Sequence, residues 1–385
     1  MRALIAFDKF KDALTAPTAC EIAREVIAEI HPDWTLEVCP LADGGEGFGT
    51  ILTAAAGGVW HPLEVTGPRG AVCQSGFGII DPTQLPTAAR DRLDIDTAKS
   101  LGIIEMASAS GLESLLPDER DPWQTDTKGT GEAIRAAIAA GADALLLGVG
   151  GSATNDIGIG ALSELGWTPV DASGSTLTRM SPNGWADLVG FRHDSSSLPP
   201  IRIACDVANP LLGERGATAV FGPQKGLQPS DRVALESSVA QAARLLGVAS
   251  GRPGLESTAG AGAAGGIAFG FLTATGAQLV PGFDLVEEWL GIADKLAAAE
   301  LIITGEGCFD ESSLEGKGPG SLALRAADSG KQVRVFAGST RPTAALPQSC
   351  TVQAITPSGT PLPQALAEAG QNLVITLRRE LAAEL

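Results

Sequence analysis

The chain has 385 residues, a formal net charge of −18 and 44% hydrophobic residues. This length exceeds one ordinary hydrophobic core and predicts about two domains. The negative charge argues against a surface that binds nucleic acid or an anionic membrane, because both need clustered Lys and Arg. A small anionic ligand remains compatible with the composition, since a pocket needs only a few local cations and backbone amides.

The cysteine and histidine content argues against further classes of protein and site. The six cysteines are scattered without a Cys-x-x-Cys pair, which favours reduced thiols in the cytoplasm over a disulfide framework or a zinc site. The three histidines lie far apart and give histidine catalysis little support. Residues 257–283 carry no charge, but glycines interrupt them, so we predict a glycine-rich loop and a buried helix there and no membrane span.

The first part of the chain alternates between strand and helix patterns. Residues 2–7 predict a strand that ends in a charged cluster at 8–12. Thr18 and Glu21 have the spacing of a capping box, which predicts the start of a helix. A second strand at 36–39 runs into the glycine-rich segment 40–47. This alternation predicts a parallel sheet with functional loops at the strand ends.

The middle of the chain has a different character, and the alternation returns near the end. Further strands are predicted at 74–80, 102–106, 145–147, 201–204, 301–303, 333–336 and 352–355. Because the two ends look alike, we expect a discontinuous α/β domain of residues 1–62 and 284–385, with a second α/β domain of residues 63–283 inserted.

Polar residues beside glycines follow several of these strands. The segments are 8–11, 43–47, 150–156, 304–307 with Asp310 and Lys317, and Asp206 and Asn209 with 222–226. Phosphoryl transfer uses such groups, because amides and lysines neutralise phosphates, carboxylates hold Mg²⁺, and one carboxylate can accept a hydroxyl proton.

The segment 145–160 is the most informative of these. An apolar strand ends in Gly150 and Gly151, and the side-chain oxygens and amides of residues 152–156 follow. The pattern is compatible with a phosphate cradle at a helix start or with a tight turn that needs glycine. The P-loop signature and the protein-kinase motifs are missing from the sequence, so a nucleotide would be bound by another constellation.

Taken together, these blocks resemble the type I glycerate kinase family (bacterial glycerate 2-kinase-like). The resemblance implies phosphorylation of D-glycerate to 2-phosphoglycerate with ATP and Mg²⁺ as cofactors. It also implies a Rossmann-like or flavodoxin-like domain made of both termini, with the active site in the interdomain cleft. Two departures are Cys308, where the family commonly has Arg, and Ser312-Ser313 in place of Gln-Ser. The blocks that carry it are Asp-x-Phe-Lys11, Leu-Ala-Asp-Gly-Gly-Glu-Gly47, Val-Thr-Gly-Pro68, Ile-Glu-Met-Ala-Ser-Ala-Ser-Gly-Leu112, Gly-Gly-Ser-Ala-Thr-Asn-Asp156, Ala-Cys-Asp-Val-x-Asn-Pro-Leu211, Phe-Gly-Pro-Gln-Lys-Gly226, Gly-Ala-Gly-Ala-Ala-Gly-Gly266 and Ile-Thr-Gly-Glu-Gly307.

We assign expected roles on this basis. Lys11, Asp43 and Asp206 are predicted to be catalytic, with Asp206 as the proton acceptor. Glu46, Asp156, Glu306 and Asp310 are predicted metal ligands. Asp43, Glu46 and Asp206 could each instead cap the next helix. The predicted substrate- or nucleotide-binding residues are Asp8, Gly44, Gly45, Gly150, Gly151, Ser152, Asn155, Asn209, Lys225, Thr304 and Lys317.

Two other functions stay open from the sequence. A kinase for another small hydroxy acid would use the same groups, and a non-catalytic anion- or nucleotide-binding protein would need the loops but fewer carboxylates. Each alternative involves a small molecule, and the sequence predicts no nucleic-acid or membrane partner.

Overall fold

The computed structural model describes residues 1–42, 44–194, 197–314, 318–341 and 346–382. The chain divides into two compact units. The terminal unit comprises Met1–Asp43 and Leu290–Leu385, and the central unit comprises Gly44–Trp289. Each unit has its own sheet and its own core.

Strands supply the frame of both units. In chain order they are β1 (Arg2–Phe7), β2 (Thr35–Val38), β3 (Val59–Thr66), β4 (Val72–Ile80), β5 (Leu101–Glu105), β6 (Ala144–Gly148), β7 (Trp167–Val170), β8 (Gly190–His193), β9 (Ile201–Ala204), β10 (Gln278–Val280), β11 (Leu301–Phe309), β12 (Gln332–Thr340) and β13 (Cys350–Ala354).

Helices connect and cover the strands. In chain order they are α1 (Ala16–Ile30), α2 (Phe48–Ala55), α3 (Thr87–Leu93), α4 (Met106–Ser110), α5 (Lys128–Ala139), α6 (Ile159–Ser163), α7 (Ala217–Phe221), α8 (Arg232–Ser250), α9 (Ala263–Thr275), α10 (Gly282–Leu290), α11 (Ile292–Ala298), α12 (Gly318–Asp328), α13 (Leu362–Ala367) and α14 (Ala369–Leu381).

The terminal unit holds a five-stranded sheet of order β13-β12-β11-β1-β2 in which neighbouring strands are parallel. Counting the strands of this unit from one to five, the order is 2-1-3-4-5, which is the flavodoxin-like order. Ligands of such sheets bind beyond the carboxyl ends of the strands where the order reverses, which here is between β1 and β11. The prediction of an α/β fold with parallel sheets is confirmed.

The central unit holds a six-stranded sheet of order β10-β9-β6-β5-β4-β3 and a two-stranded ribbon of β7 and β8. The pairs from β10 to β5 are parallel, whereas β4 and β3 complete the sheet in antiparallel fashion. The sequence had placed the first boundary after residue 62. The contact division instead lies after residue 43, because β3 pairs along its whole length with β4.

Apolar strand faces form the two cores. Ile5, Phe7, Ile303 and Phe336 are buried in the terminal unit, and Leu145–Leu147 of β6 are buried in the central unit. The uncharged segment 257–283 forms the buried helix α9 after a glycine-rich turn, as predicted. Among the described residues, no helix is long and apolar enough to cross a membrane, and all six cysteines are free thiols.

Two local predictions were wrong. Helix α1 begins at Ala16, two residues before Thr18, and its N-cap is Thr15, which accepts the N–H of Thr18. Thr18 therefore lies inside the helix. Strand β11 continues through Glu306 to Phe309, because those residues pair with β12. The predicted loop at 304–307 is thus part of a strand.

Candidate active site

The carboxyl ends of β5, β6 and β9 lie side by side in the central unit. The register pairs Glu105 with Gly148 and Gly148 with Ala204. Each strand is followed by polar residues, at 107–111, 150–156 and 206–209. Because parallel strands share one carboxyl edge, these three segments meet at the same edge of the sheet.

The glycine loop, residues 148–158, passes closest to the segment before α2. The N–H of Gly150 donates to the carbonyl of Gly44 at 2.9 Å. A Cβ on Gly150 would lie 2.7 Å from both the Cα and the N of Gly45. This approach requires glycine, because a side chain at 150 would push the two backbones apart.

Two other segments hold the glycine loop from further sides. Ala153 N–H donates to the Ser110 carbonyl at 2.9 Å, and Leu112 N–H donates to the Gly151 carbonyl at 2.8 Å. Ile157 N–H donates to the carbonyl of Gly265, at the glycine-rich start of α9. Several of the blocks singled out in the sequence thus converge on this one loop.

Lys225 is the charged residue that enters the loop. It is 1% exposed, and its Nζ lies 2.8 Å from Ser152 Oγ and 2.6 Å from the carbonyl oxygen of Thr154. Among the described residues, the partners of Nζ are these two uncharged oxygens. Burial lowers the pKa of Lys225 to about 7, although the charge of Asp156 acts in the opposite direction. In a fraction of the molecules, the Lys225 amine is therefore neutral at physiological pH.

Asp156, expected to bind metal, is fully buried. Its carboxylate accepts the N–H and the hydroxyl of Thr127 at 2.9 and 2.7 Å, and the N–H groups of Gly158 and Gly160 at 3.2 and 3.0 Å. Burial raises its pKa, while these hydrogen bonds lower it. The carboxylate is occupied by the protein itself, so we assign Asp156 to fixing the loop and leave it out of the metal set.

Asn155 and Thr154 are also fully buried. Asn155 donates from Nδ2 to Thr218 Oγ1 at 3.0 Å. Asn155 Oδ1 and Thr154 Oγ1 find no hydrogen-bond partner among the described residues. Buried polar atoms of this kind are the places where a buried water or a bound group is expected.

Asp206 follows β9 and is exposed. Both of its carboxylate oxygens accept the N–H of Phe283, at 3.0 and 3.1 Å, in the first turn of α10. Asn209 donates from Nδ2 to the main-chain carbonyl of Arg215 at 2.8 Å. The main-chain carbonyl of Asn209 accepts the N–H of Gly262. The helix-capping alternative for Asp206 is thus present in the structure, at the edge where a catalytic role was predicted.

The segment after β2 carries four of the predicted residues. Gly44 and Gly45 are buried beside the glycine loop, whereas Glu46 is exposed. Asp43 lies outside the described residues, as does Lys317, so their predicted roles remain predictions.

The terminal unit brings Asp8, Glu306 and Asp310 together at its topological switch point. Asp8 N–H donates to Gly305 O at 2.9 Å, and Asp8 and Asp310 both raise the pKa of Glu306 by charge. Lys11 is exposed just beyond β1. Thr304 is buried and donates to the Ala6 carbonyl at 2.5 Å, which gives it a role within the sheet in place of the predicted contact with substrate.

Glu306 is the most perturbed carboxyl of this edge. It is half-buried, and its Oε1 has no hydrogen-bond partner among the described residues. Burial, with the neighbouring negative charges, raises its pKa to about 7, while a hydrogen bond from Ser313 lowers it. Where the family commonly has Arg, Cys308 lies 4.0 Å from Asp310, and the Arg341 guanidinium is also within 4.0 Å of that carboxylate.

Several residues beneath the glycine loop were not predicted to belong to the site. Thr127 accepts the N–H of Ala161 while bonding Asp156. Burial and the charge of Asp156 raise the pKa of Asp126 to about 7. Glu105 is buried and accepts the N–H of Gly49. The signal for the first two was the polar run 121–127 directly ahead of α5.

Comparison with known proteins gives consistent matches. Residues 3–383 match the model of the Glycerate kinase family. Glycerate kinase from Bacillus subtilis (strain 168) is 38% identical over 98% of this chain and 96% of that protein. Glycerate 2-kinase from Escherichia coli (strain K12) is 37% identical over 88% of this chain and 85% of that protein. A crystal structure from Salmonella typhimurium LT2, assigned as a candidate glycerate kinase 2, matches with a TM-score of 0.74 and 35% identity over 100% of this chain and 98% of that one.

Proposed function

The chain belongs to the glycerate kinase family, and from this premise we propose that it transfers the γ-phosphoryl group of ATP to the 2-hydroxyl of D-glycerate, with Mg²⁺ bound. The observation that carries the proposal is the glycine loop, held against three neighbouring segments at the carboxyl edge of β5, β6 and β9. Such an edge binds phosphates in α/β proteins. The name of the Escherichia coli relative supports the 2-hydroxyl.

The carboxylates of the terminal unit fit Mg²⁺. A divalent cation would satisfy the orphaned Oε1 of Glu306 and relieve the crowding of negative charge around it. Among the described residues, no group of three or more His, Cys, Asp or Glu could hold a metal by itself. Mg²⁺ commonly binds through one or two carboxylates together with substrate phosphates and water, so Glu306 and Asp310 are the proposed ligands, with Glu46 as a further candidate.

Bound Mg²⁺ would neutralise charge on the phosphates. The chain's own residues do the rest by positioning: the exposed main chain at Gly151 faces the anionic ligand, and Lys11 contacts a phosphate or the glycerate carboxylate. Orientation of the two reactants supplies much of the rate in such reactions. The sequence predicts that residues of both units take part in the same reaction.

A coupled assay of ADP release with purified protein tests the proposal. We expect ADP release that needs D-glycerate, ATP and Mg²⁺ together, and that stops on addition of EDTA. Phosphorus NMR of the product then identifies the phosphorylated hydroxyl. Turnover with another hydroxy acid but not with glycerate would contradict the substrate, and ligand binding without ADP release would contradict catalysis.

A further inference from the structure

The glycine loop contains a hydroxyl and an amine in direct contact. Lys225 Nζ and Ser152 Oγ are 2.8 Å apart. Ser152 is 7% exposed and directly follows the exposed Gly151, whereas Lys225 is 1% exposed. The serine is therefore the member of the pair nearer to solvent, and the lysine lies behind it.

A charged lysine in this position would be costly. Its described hydrogen-bond partners are a hydroxyl and a main-chain carbonyl, and neither compensates a buried positive charge as a carboxylate would. In the neutral form, Nζ can donate to the Thr154 carbonyl and accept the proton of Ser152. The neutral form thus satisfies both contacts without an unpaired charge.

The charged groups around Lys225 are consistent with this state. Asp156 is the carboxylate whose charge acts on Lys225, and its oxygens are already held by Thr127, Gly158 and Gly160. The charge of Asp156 also raises the pKa of Asp126. From the other side, the main chain of Arg120 packs against Gly226, next to Lys225.

We propose that Ser152 and Lys225 form a proton relay that accepts the hydroxyl proton of glycerate during phosphoryl transfer. The glycerate oxygen forms a bond to the γ-phosphorus as the bond from that phosphorus to the ADP oxygen breaks. The glycerate proton passes to Ser152 Oγ, and the Ser152 proton passes to Lys225 Nζ. Lys225 releases the proton to solvent before the next turnover.

This assignment differs from the sequence prediction, which gave the proton to Asp206. Both carboxylate oxygens of Asp206 accept the N–H of Phe283, which gives this residue a helix-capping role. The neutral amine of Lys225, in contrast, contacts the loop that is proposed to hold phosphate. A lysine desolvated in this way is a competent general base near neutral pH. The inference rests on the proposed function, because it needs glycerate as the proton donor.

The test compares pH profiles of kcat in the wild type and in Ser152→Ala, Lys225→Met, Lys225→Arg and Asp206→Asn. In the wild type we expect kcat to rise with pH through about 7 as Lys225 loses its proton. Lys225→Met and Lys225→Arg should each lower kcat at least 100-fold and abolish that rise, since general-base catalysis typically contributes 10²–10⁴-fold. Asp206→Asn should keep the rise. Lys331→Arg is the matched control, because Lys331 belongs to the other unit and donates to the carbonyls of Ala297 and Ala299 there.

Ser152→Ala guards against misfolding of the lysine variants, since it removes only a hydroxyl. It should lower kcat at least 100-fold with the melting temperature and the KM for ATP nearly unchanged. The kcat of the double variant Ser152→Ala/Lys225→Met should be no lower than that of the less active single variant, because the effects of residues that act as a unit are not additive. Ser152→Ala or Lys225→Arg with near-normal kcat, or loss of the pH rise in Asp206→Asn, would overturn the relay. Wild-type protein without glycerate-dependent ADP release would instead overturn the proposed function.

Discussion

The Asp156 carboxylate accepts both the main-chain N–H and the hydroxyl of Thr127. This contact joins the end of the glycine loop to the start of α5, and the same carboxylate also holds Gly158 and Gly160. The loop is therefore fixed from beneath by a buried charge, while Gly150 and Gly151 remain at the surface.

Asp156→Asn should weaken folding. The amide replaces one acceptor oxygen with a donor, so at least one buried N–H or O–H loses its partner, and we expect the free energy of unfolding to fall by about 2 to 4 kcal/mol. Urea denaturation measures this change. Asp171→Asn is the control, since Asp171 also accepts N–H groups, from Ser173 and Ser175, but is not buried. Unchanged stability together with lost Mg²⁺ dependence would restore Asp156 to the metal set.

Glu306 should make stability depend on pH. Its pKa is raised to about 7 in the folded protein from an unfolded value near 4.3. The folded state therefore binds the proton more tightly, and its stability falls as pH rises from about 4 to 7. Glu306→Gln removes this cost and should flatten that part of the profile, with a gain on the order of 2 kcal/mol above pH 7. Thermal unfolding between pH 5 and 8 measures it, with the exposed Glu25→Gln as control.

Adding Mg²⁺ to the same unfolding experiment tests whether Glu306 binds the metal. If Mg²⁺ binds the Glu306 carboxylate, it should stabilise the wild type most above pH 7, where that carboxylate is charged. Glu306→Gln should lose this stabilisation. Equal stabilisation of wild type and Glu306→Gln by Mg²⁺ would remove Glu306 from the proposed ligands.

The fold class and the edge of the central sheet could be predicted from local sequence. The bounds of β1 were predicted correctly at residues 2–7, because consecutive apolar residues end in a charged cluster there. The length of β11 was not, because Gly305, Glu306 and Gly307 favour a turn locally, whereas pairing with β12, and with β1 at Gly305, holds them in a strand.

Side-chain roles were harder to predict, for a physical reason. Asp156 and Glu306 both stand beside glycines in the sequence. One carboxylate is consumed by internal donors and the other keeps an orphaned oxygen. That difference depends on which distant segments pack around each residue, which spacing along the chain does not encode.

Lys11→Ala should impair catalysis with little effect on folding. Lys11 is exposed beyond β1, so its removal leaves no buried group unsatisfied. A charge-assisted contact to substrate contributes about 1.5 to 3 kcal/mol, so kcat/KM for ATP or for glycerate should fall roughly 10- to 100-fold. Steady-state kinetics measure both, with the exposed Lys99→Ala as the matched variant. Kinetics like those of the wild type would place Lys11 outside the site.

Gly150→Ala tests the close approach of the glycine loop to Gly45. The added Cβ would lie 2.7 Å from two backbone atoms of Gly45, and these cannot rotate away as a side chain could. We expect a loss of about 1 to 3 kcal/mol in stability from overpacking and at least a tenfold fall in kcat/KM for ATP, because the whole glycine loop is displaced from the phosphates. Gly190→Ala is the matched control, since open space surrounds Gly190 and its φ is not positive. If Gly150→Ala kept wild-type kinetics at reduced stability, the loop would be a structural turn and not a phosphate cradle.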